Sequence, residues 1–333
     1  MKKIVIFGAT GLVGAYASLI LKEQGFEVVA VGKRASDNGF FAGYGIPYYS
    51  ADITKEDDFL KLPAKDVFAI VHLAGVMPAS MRGYDPRSYV SSVVGGTLNV
   101  LEYARGIGAD RIVFGHSRAD SNYLMGKKPI PSDIVKKFPL TGDHSVYSIC
   151  KNAAVDLIEH FYHQYGLKRF VLRFTTIYGY HPNPYFYVNG EKKMQAYRLI
   201  MDKAIRGERV EIWGDPSKAK EIVYVKDAVG LIRDCLRADC DGGVYNIGAE
   251  KPVTLEEQIR GIVAVFSDPN KPSEIVYRPD MPDGREYCND ISKTRNELGY
   301  APQYDYRRLL VDFRKYMETE PMKQLWGTRE NYD

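Results

Sequence analysis

An α/β protein built on a doubly wound parallel sheet, with a smaller C-terminal α/β lobe, is the fold class predicted by three features of this sequence. Short apolar, β-branched runs alternate with helical patterns through residues 1–179. A glycine-spaced turn follows the first of these runs directly. Near Tyr180 the texture changes to the turn-rich HPNPYFYVNG, after which short strands and helices share the chain. Strands that alternate with helices need crossover connections, and these favour a parallel sheet covered on both faces.

Taken in order, Lys3 to Phe7 reads as a buried strand, Gly8 to Gly14 as a turn, Leu12 to Gln24 as a helix and Glu27 to Val31 as a second strand. This is a βαβ unit. Further strands are expected at Ile46–Tyr49, Val67–Ala74, Arg111–Gly115 and Phe170–Tyr178, with helices at Asn99–Arg105 and Tyr147–Tyr165 between them. Beyond Tyr180 a helix is expected from Met194 to Arg206, and segments near 220–250, Val244–Gly248 among them, are expected to return to the main sheet.

Composition narrows the function classes. The 333 residues carry 45 Lys+Arg against 42 Asp+Glu, a formal charge of +3, with no long run of one sign. That balance gives no basic stripe for nucleic acid and no support for a disordered tail. Four cysteines without a CxxC pair fit reduced thiols in a cytoplasmic enzyme. The six histidines form no HxxxH, so no metal site is expected. Lys2-Lys3 and the apolar stretch ending Ala15-Tyr16-Ala17 imitate an export signal, but Gly8, Thr10 and Gly11 break the run. No membrane association is expected.

The turn Gly8-Ala9-Thr10-Gly11-Leu12-Val13-Gly14 is a GxxGxxG between strand and helix. The first glycine permits the tight exit, the second lets backbone amides approach a pyrophosphate, and the third lets the helix pack on the strand. Gly8, Thr10, Gly11, Leu12 and Gly14 are therefore assigned to a dinucleotide. An acidic residue for the ribose is expected at the end of the second strand, which here reads Val31-Gly32-Lys33-Arg34. Lys33 and Arg34 match a 2′-phosphate, favouring NADP over NAD; the alternative is that both are solvated and Asp37 reaches the ribose. Asp52 and Ile53, after the third strand, are expected near the adenine, with a turn role for Asp52 as the alternative. Leu73, Ala74 and Gly75 end the fourth strand with small residues suited to backbone approach, and His72 reads as a core histidine.

Tyr147 and Lys151 form a YxxxK, one helical turn apart on one face. A second match, Tyr123 to Lys127, contains Gly126 and reads as loop. A phenol near pKa 10 becomes a usable base when a cation lowers it. Lys151 is placed to do so, and Ser117, beyond the fifth strand, to hydrogen-bond the same substrate oxygen. Catalytic roles are thus expected for Ser117, Tyr147 and Lys151, the latter two also touching the cofactor.

With these motifs, the chain resembles the NAD-dependent epimerase/dehydratase family of extended short-chain dehydrogenases/reductases along essentially its whole length. His72-Leu73-Ala74-Gly75, Leu172-Arg173 with Ile177-Tyr178-Gly179, Ile212-Trp213-Gly214-Asp215, Tyr224-Val225-Lys226-Asp227, Tyr245-Asn246-Ile247-Gly248 and Asp290-Ile291-Ser292-Lys293 carry the likeness. The resemblance implies an NAD(P)-binding Rossmann domain over 1–179, a lobe over 180–333 closing on a nucleotide sugar, and a homodimer built through helices such as Tyr147–Tyr165. It also implies substrate contacts from Met77, Ser117, Thr176, Lys220 and Arg285. The family's 4,6-dehydratases follow the active-site Ser/Thr with Asp-Glu, whereas Ser117 is followed by Arg118-Ala119, so dehydration is disfavoured. The diphosphate clamp also departs: Lys220-Glu221 stands for the usual Arg-Asp and Asp280 for a second arginine, leaving Arg278 or Arg285 to substitute. His116, beside Ser117, is expected to pack or shape the pocket. The function expected is a nucleotide-sugar epimerase acting through a 4-keto intermediate; the alternative is an NADPH-dependent reductase of a keto-sugar or other carbonyl. A non-catalytic NADP sensor would have no need of the Tyr/Lys pair.

Overall fold

The computed structural model describes residues 1–78, 83–126, 128–188 and 190–333. Seven parallel strands form its main sheet: β1 (Lys3–Phe7), β2 (Glu27–Gly32), β3 (Tyr48–Ser50), β4 (Val67–His72), β5 (Arg111–Ser117), β6 (Lys168–Phe174) and β7 (Gly242–Asn246), in the order β7-β6-β5-β4-β1-β2-β3. The order reverses between β1 and β4, and such a switch point opens a crevice at the carboxyl ends of the strands.

The two-residue period of β1 explains how one strand serves both faces. Ile4 and Ile6 join a core with Val28, Ala30, Val71 and Leu172. Val5 and Phe7 point the other way, into a core with Val29, Val31, Ile70 and Phe114. Helices α1 (Leu12–Glu23) and α4 (Val225–Arg237) pack against each other on the first side. The second side is covered by α2 (Gly96–Gly106) and α3 (Asp143–Tyr165). In α4 the buried Val225, Ala228, Val229, Ile232 and Leu236 recur every three or four residues, a single apolar stripe. Helical structure leads into α2 through a π-turn, Val90–Gly95.

The remaining chain forms smaller units. Val210–Trp213 pairs with Ile275–Arg278, and Ala219–Lys220 with Val253–Thr254. A small core of Val210, Ile212, Ile259 and Val263 lies beneath them. Thr254 and Glu257 form a capping box that starts the helix Leu255–Phe266. The continuous strand expected over Phe170–Tyr178 is instead broken: β6 ends at Phe174, and Ile177–Tyr178 pairs outside the main sheet with Val223–Tyr224. The break falls where β6 runs out of sheet partners, and it turns Thr175 toward the crevice. Among the described residues, no helix is long and apolar enough to cross a membrane.

A buried polar network holds the carboxyl end of the sheet. Arg173 of β6 clasps Asp120 with two nitrogens, each 3.1 Å from a carboxylate oxygen. His116 Nε2 donates to the same carboxylate at 3.1 Å. The third guanidinium nitrogen donates to the Ser132 carbonyl at 2.9 Å and to Asn246 Oδ1 of β7 at 3.0 Å. Asn246 in turn donates to the carbonyls of Ile130 and Asp290. Burial opposes ionisation of Asp120, but the partners His116 and Arg173 outweigh it and hold the carboxyl below its usual range. Removing the carboxylate strands a buried guanidinium, a change that costs about 3–5 kcal/mol. Asp120→Ala should therefore lose stability of that order in urea denaturation, and a loss below about 1 kcal/mol would contradict this account of the network.

Candidate active site

The glycine turn sits where β1 meets α1. Gly8 has φ 85°, in the left-handed region, and a Cβ there would lie 2.8 Å from the backbone of Leu73 and Ala74. A Cβ on Gly14 would lie 2.1 Å from the Gly8 carbonyl oxygen, so the helix packs against its own turn at a distance only glycine permits. Gly11 caps α1 without a side chain, leaving the first-turn amides open to the cleft. The Gly8 and Ala9 amides both donate to the Val31 carbonyl, which anchors the turn to β2. These glycines and open amides suit a pyrophosphate, which a helix N-terminus favours by its amides and dipole.

A cleft of about 590 Å³ extends from this turn to the ends of β4 and β5. It gathers Gly8, Thr10, Gly11, Leu12 and Gly14 at one end and Lys33, Asp52 and Ile53 at the rim. Leu73, Ala74, Gly75 and Met77 line the middle, and Ser117, Tyr147 and Lys151 close the inner end. The structure thus brings together every residue expected at the cofactor site except Arg34. Arg34 donates instead to the Leu325 carbonyl at 2.6 Å. Lys33 Nζ lies 3.0 Å from Asp52, and Asp52 also accepts from the Thr54 amide and hydroxyl, a turn role. Burial pushes Asp52 up, yet these hydrogen bonds and Lys33 bring it below its usual value. Asp37 does not reach toward the rim: its carboxylate accepts from the Gly39 and Phe41 amides at 3.2 and 2.7 Å.

At the inner end, Tyr147 is buried, its ring set edge-on to Tyr89. Burial pushes its phenol up to about 12, against a hydrogen bond with Ser117 that lowers it. Lys151 Nζ donates to the Gly115 carbonyl at 2.7 Å and lies 4.4 Å from the centre of the Phe114 ring. Burial brings Lys151 down to about 7. The lysine expected to lower the phenol is itself brought toward neutrality by its burial away from water, and the hydrogen bond to the Gly115 carbonyl, which favours the charged form, works against that shift.

His72 is wholly buried and donates Nε2–H to Thr97, whose hydroxyl in turn donates to the Val93 carbonyl. His116 lines the cleft while its Nε2 is held by Asp120. Sequence reasoning missed Val76, Ser92, Phe174 and Thr175 as cleft residues. Ser92 belongs to the π-turn, and its hydroxyl accepts from the Val76 amide at 3.3 Å. The paired Gly95-Gly96 inside an otherwise helical run is the signal that irregularity left in the sequence.

Three expected substrate contacts lie off this cleft. The Thr176 hydroxyl is 2.5 Å from that of Tyr287, Lys220 lies opposite Tyr287 in an isolated bridge, and Arg285 is two residues from it. Of the two arginines open for the clamp, Arg278 is paired with Asp280 at 2.8 Å and Glu211 at 3.4 Å. The stretches Met77 to Tyr84 and Phe186 to Asn189, expected to shape the pocket, include residues 79–82 and 189, which lie outside the described residues, as does Lys127 of the second YxxxK.

Residues 4–248 match the model of the NAD dependent epimerase/dehydratase family. A dTDP-glucose 4,6-dehydratase of Xanthomonas campestris is 28% identical over 247 residues, covering 68% of this chain and 67% of that protein. A putative UDP-glucose 4-epimerase of Methanocaldococcus jannaschii is 25% identical over 91% of this chain and 94% of its own length. The crystal structure of a UDP-glucuronic acid 4-epimerase from Bacillus cereus in complex with NAD superposes with a TM-score of 0.72, covering 97% of this chain and 99% of that one. At 20% identity that last likeness is one of fold.

The buried lysine makes stability depend on pH. Its value of about 7 in the folded chain lies below the ordinary 10.5, so between those values the unfolded chain holds a proton that the folded chain has released. Stability from this group therefore rises with pH across the window and is flat below it. Lys151→Met should be more stable than the parent at pH 7, with the difference shrinking by pH 10 in paired denaturation curves. A difference that does not change with pH would refute the burial argument.

Proposed function

The chain belongs to the NAD dependent epimerase/dehydratase family, and on that premise we propose that it is an NAD(P)-dependent nucleotide-sugar epimerase working through a 4-keto intermediate. The observation that carries this reading is the meeting of Ser117, Tyr147 and Lys151 at the inner end of the cleft that begins at the glycine turn. The Arg118-Ala119 that follows Ser117 provides no carboxylates for elimination. Epimerisation needs only proton and hydride exchange at one carbon, which this set suits.

The glycine turn, Asp52, Ile53 and Leu73–Gly75 would hold the dinucleotide. When bound, it supplies a hydride acceptor and the positive charge of its nicotinamide ring. The Tyr147 phenolate takes the proton of the sugar hydroxyl as the alcohol becomes a ketone, and the phenol so formed gives it back when the ketone is reduced on its other face. Ser117 donates to the same oxygen and fixes its position. Lys151, when ionised, favours the phenolate by its charge. Thr176, Lys220 and Arg285 are assigned to the substrate side, and a homodimer to the outward faces of α2 and α3, where Leu98 and Ile149 are exposed.

A reductase of a keto-sugar or another carbonyl is the second reading. It is favoured by the tip of β2, where Gly32 replaces the expected carboxylate and Lys33 stands at the cleft rim. Lys33 is assigned to the 2′-phosphate of NADP in place of Arg34, whose side chain is committed to Leu325. A phenol raised to about 12 is protonated at neutral pH and ready to act as an acid.

Tyr147→Phe should lower turnover by about 10²–10⁴-fold, the usual contribution of a positioned acid/base, while the melting temperature stays near the parent's. Turnover within threefold of the parent would remove Tyr147 from the mechanism. Isomerisation of a nucleotide sugar without net use of added dinucleotide selects the epimerase, and stoichiometric NADPH oxidation the reductase. Lys33→Ala should shift the NADP/NAD affinity ratio about tenfold toward NAD, the scale of one charge-assisted hydrogen bond, by direct titration. An unchanged ratio would defeat the assignment of Lys33.

A further inference from the structure

The turn over residues 8–14 carries three glycines, the residue type that loses most conformational freedom when a chain is ordered. That freedom is removed either by the fold beforehand or by a ligand when it binds, and whatever the fold removes the ligand need not. The first half of the turn is held from within the main sheet: the Gly8 and Ala9 amides donate to Val31, and the Gly11 amide donates back to the Gly8 carbonyl at 3.0 Å. The Thr10 carbonyl is held from elsewhere. It accepts the indole N–H of Trp326 at 2.9 Å.

The peptide that joins Thr10 to Gly11 is a rigid plane. With its carbonyl tied to Trp326 and its N–H tied to Gly8, that plane is fixed at both ends, and α1 begins directly beyond it with its first amides open. Trp326 is itself firmly seated: it is 4% exposed, and its ring lies 4.4 Å from that of His181. It is not among the residues that line the cleft, whereas Thr10 is, so any effect of the indole on a ligand passes through Thr10.

The same short helix, Lys323–Trp326, holds a second border of the cleft. Its Leu325 carbonyl accepts from Arg34, and Gln324 exchanges hydrogen bonds with Asn38, both in the chain that follows Lys33 at the rim. Behind it, Arg329 clasps Asp202 of the helix Ala196–Ile205 with two nitrogens, at 2.9 and 2.6 Å. The Tyr332 hydroxyl donates to the Trp326 carbonyl at 2.7 Å. Trp326 is thus anchored outside the main sheet while it holds the turn. From this geometry we propose that Trp326 is a positioning residue for the dinucleotide: its indole N–H fixes the Thr10–Gly11 peptide, so that the turn meets the pyrophosphate already ordered. The proposal rests on the assignment of the glycine turn to a dinucleotide.

The test pairs binding with hydrogen exchange on the full chain. Trp326→Phe keeps an aromatic ring and removes the N–H. In calorimetric titrations with NAD, NADH, NADP and NADPH, the dinucleotide that the parent binds most tightly should bind this variant about 3–10-fold more weakly, the scale of one hydrogen bond. In the ligand-free protein, the Gly8, Ala9 and Gly11 amides should exchange faster by a similar factor, read by mass spectrometry on peptides spanning the turn, while β5 keeps the parent's rates. Faster exchange in β5 as well would reveal general loosening. Tyr332→Phe then carries the test, since it removes only the hydroxyl behind Trp326 and should weaken binding about two- to threefold through the same peptide. An unmoved affinity, or one that falls without faster exchange in the turn, overturns the proposal alone. Failure of the parent to bind any of the four dinucleotides overturns the assignment of the turn and the proposal together.

Discussion

The clasp of Arg173 on Asp120 is the contact on which the rest of the reactive end depends. A guanidinium and a carboxylate, both buried, are tolerable only because all three nitrogens of the one and both oxygens of the other are met. The clasp joins β6 to the segment just after Ser117, and through Asn246 it joins both to β7 and to the loops at Ile130 and Asp290. Ser117 thus stands on a strand end fixed from behind. Tyr147 approaches it from helix α3, so their alignment depends on that fixation, and the loops at Ser132, Ile130 and Asp290 are tied to the same network.

Much of this was legible in the sequence because its cause is local. The alternation of Ile4 and Ile6 with Val5 and Phe7, the spacing of Gly8, Gly11 and Gly14, and the one-turn separation of Tyr147 from Lys151 each record a backbone geometry within a few residues. What was not legible depends on distant partners. Arg34 reads as a phosphate ligand until the Leu325 carbonyl, 291 residues away, is seen to accept its proton. Asp37 reads as a ribose ligand until its own downstream amides are seen to take it. The break after Phe174 follows from where the sheet ends, which no periodicity within β6 reveals.

The discharge of Lys151 belongs to the same lesson. Sequence places an ammonium one turn from a phenol and suggests that the first lowers the second. Burial acts on both at once, disfavouring the charged form of each, so the two are displaced toward neutrality. Lys220 is displaced in the same direction, by burial first and by the charge of Arg118 second, a local effect that the net charge of +3 conceals.

Trp326 closes the account of the glycine turn. Its indole N–H donates to the Thr10 carbonyl at 2.9 Å, a bond that spans 316 positions of the chain. Next to it, Gln324 and Asn38 exchange hydrogen bonds and Leu325 receives Arg34. A ribosome makes the turn 316 positions before its brace. During synthesis the glycine turn therefore waits, joined to its strand and helix but unbraced, until the sequence around Trp326 emerges. The brace on the turn therefore waits on a distant segment, and a chain cut short before Trp326 would lack it.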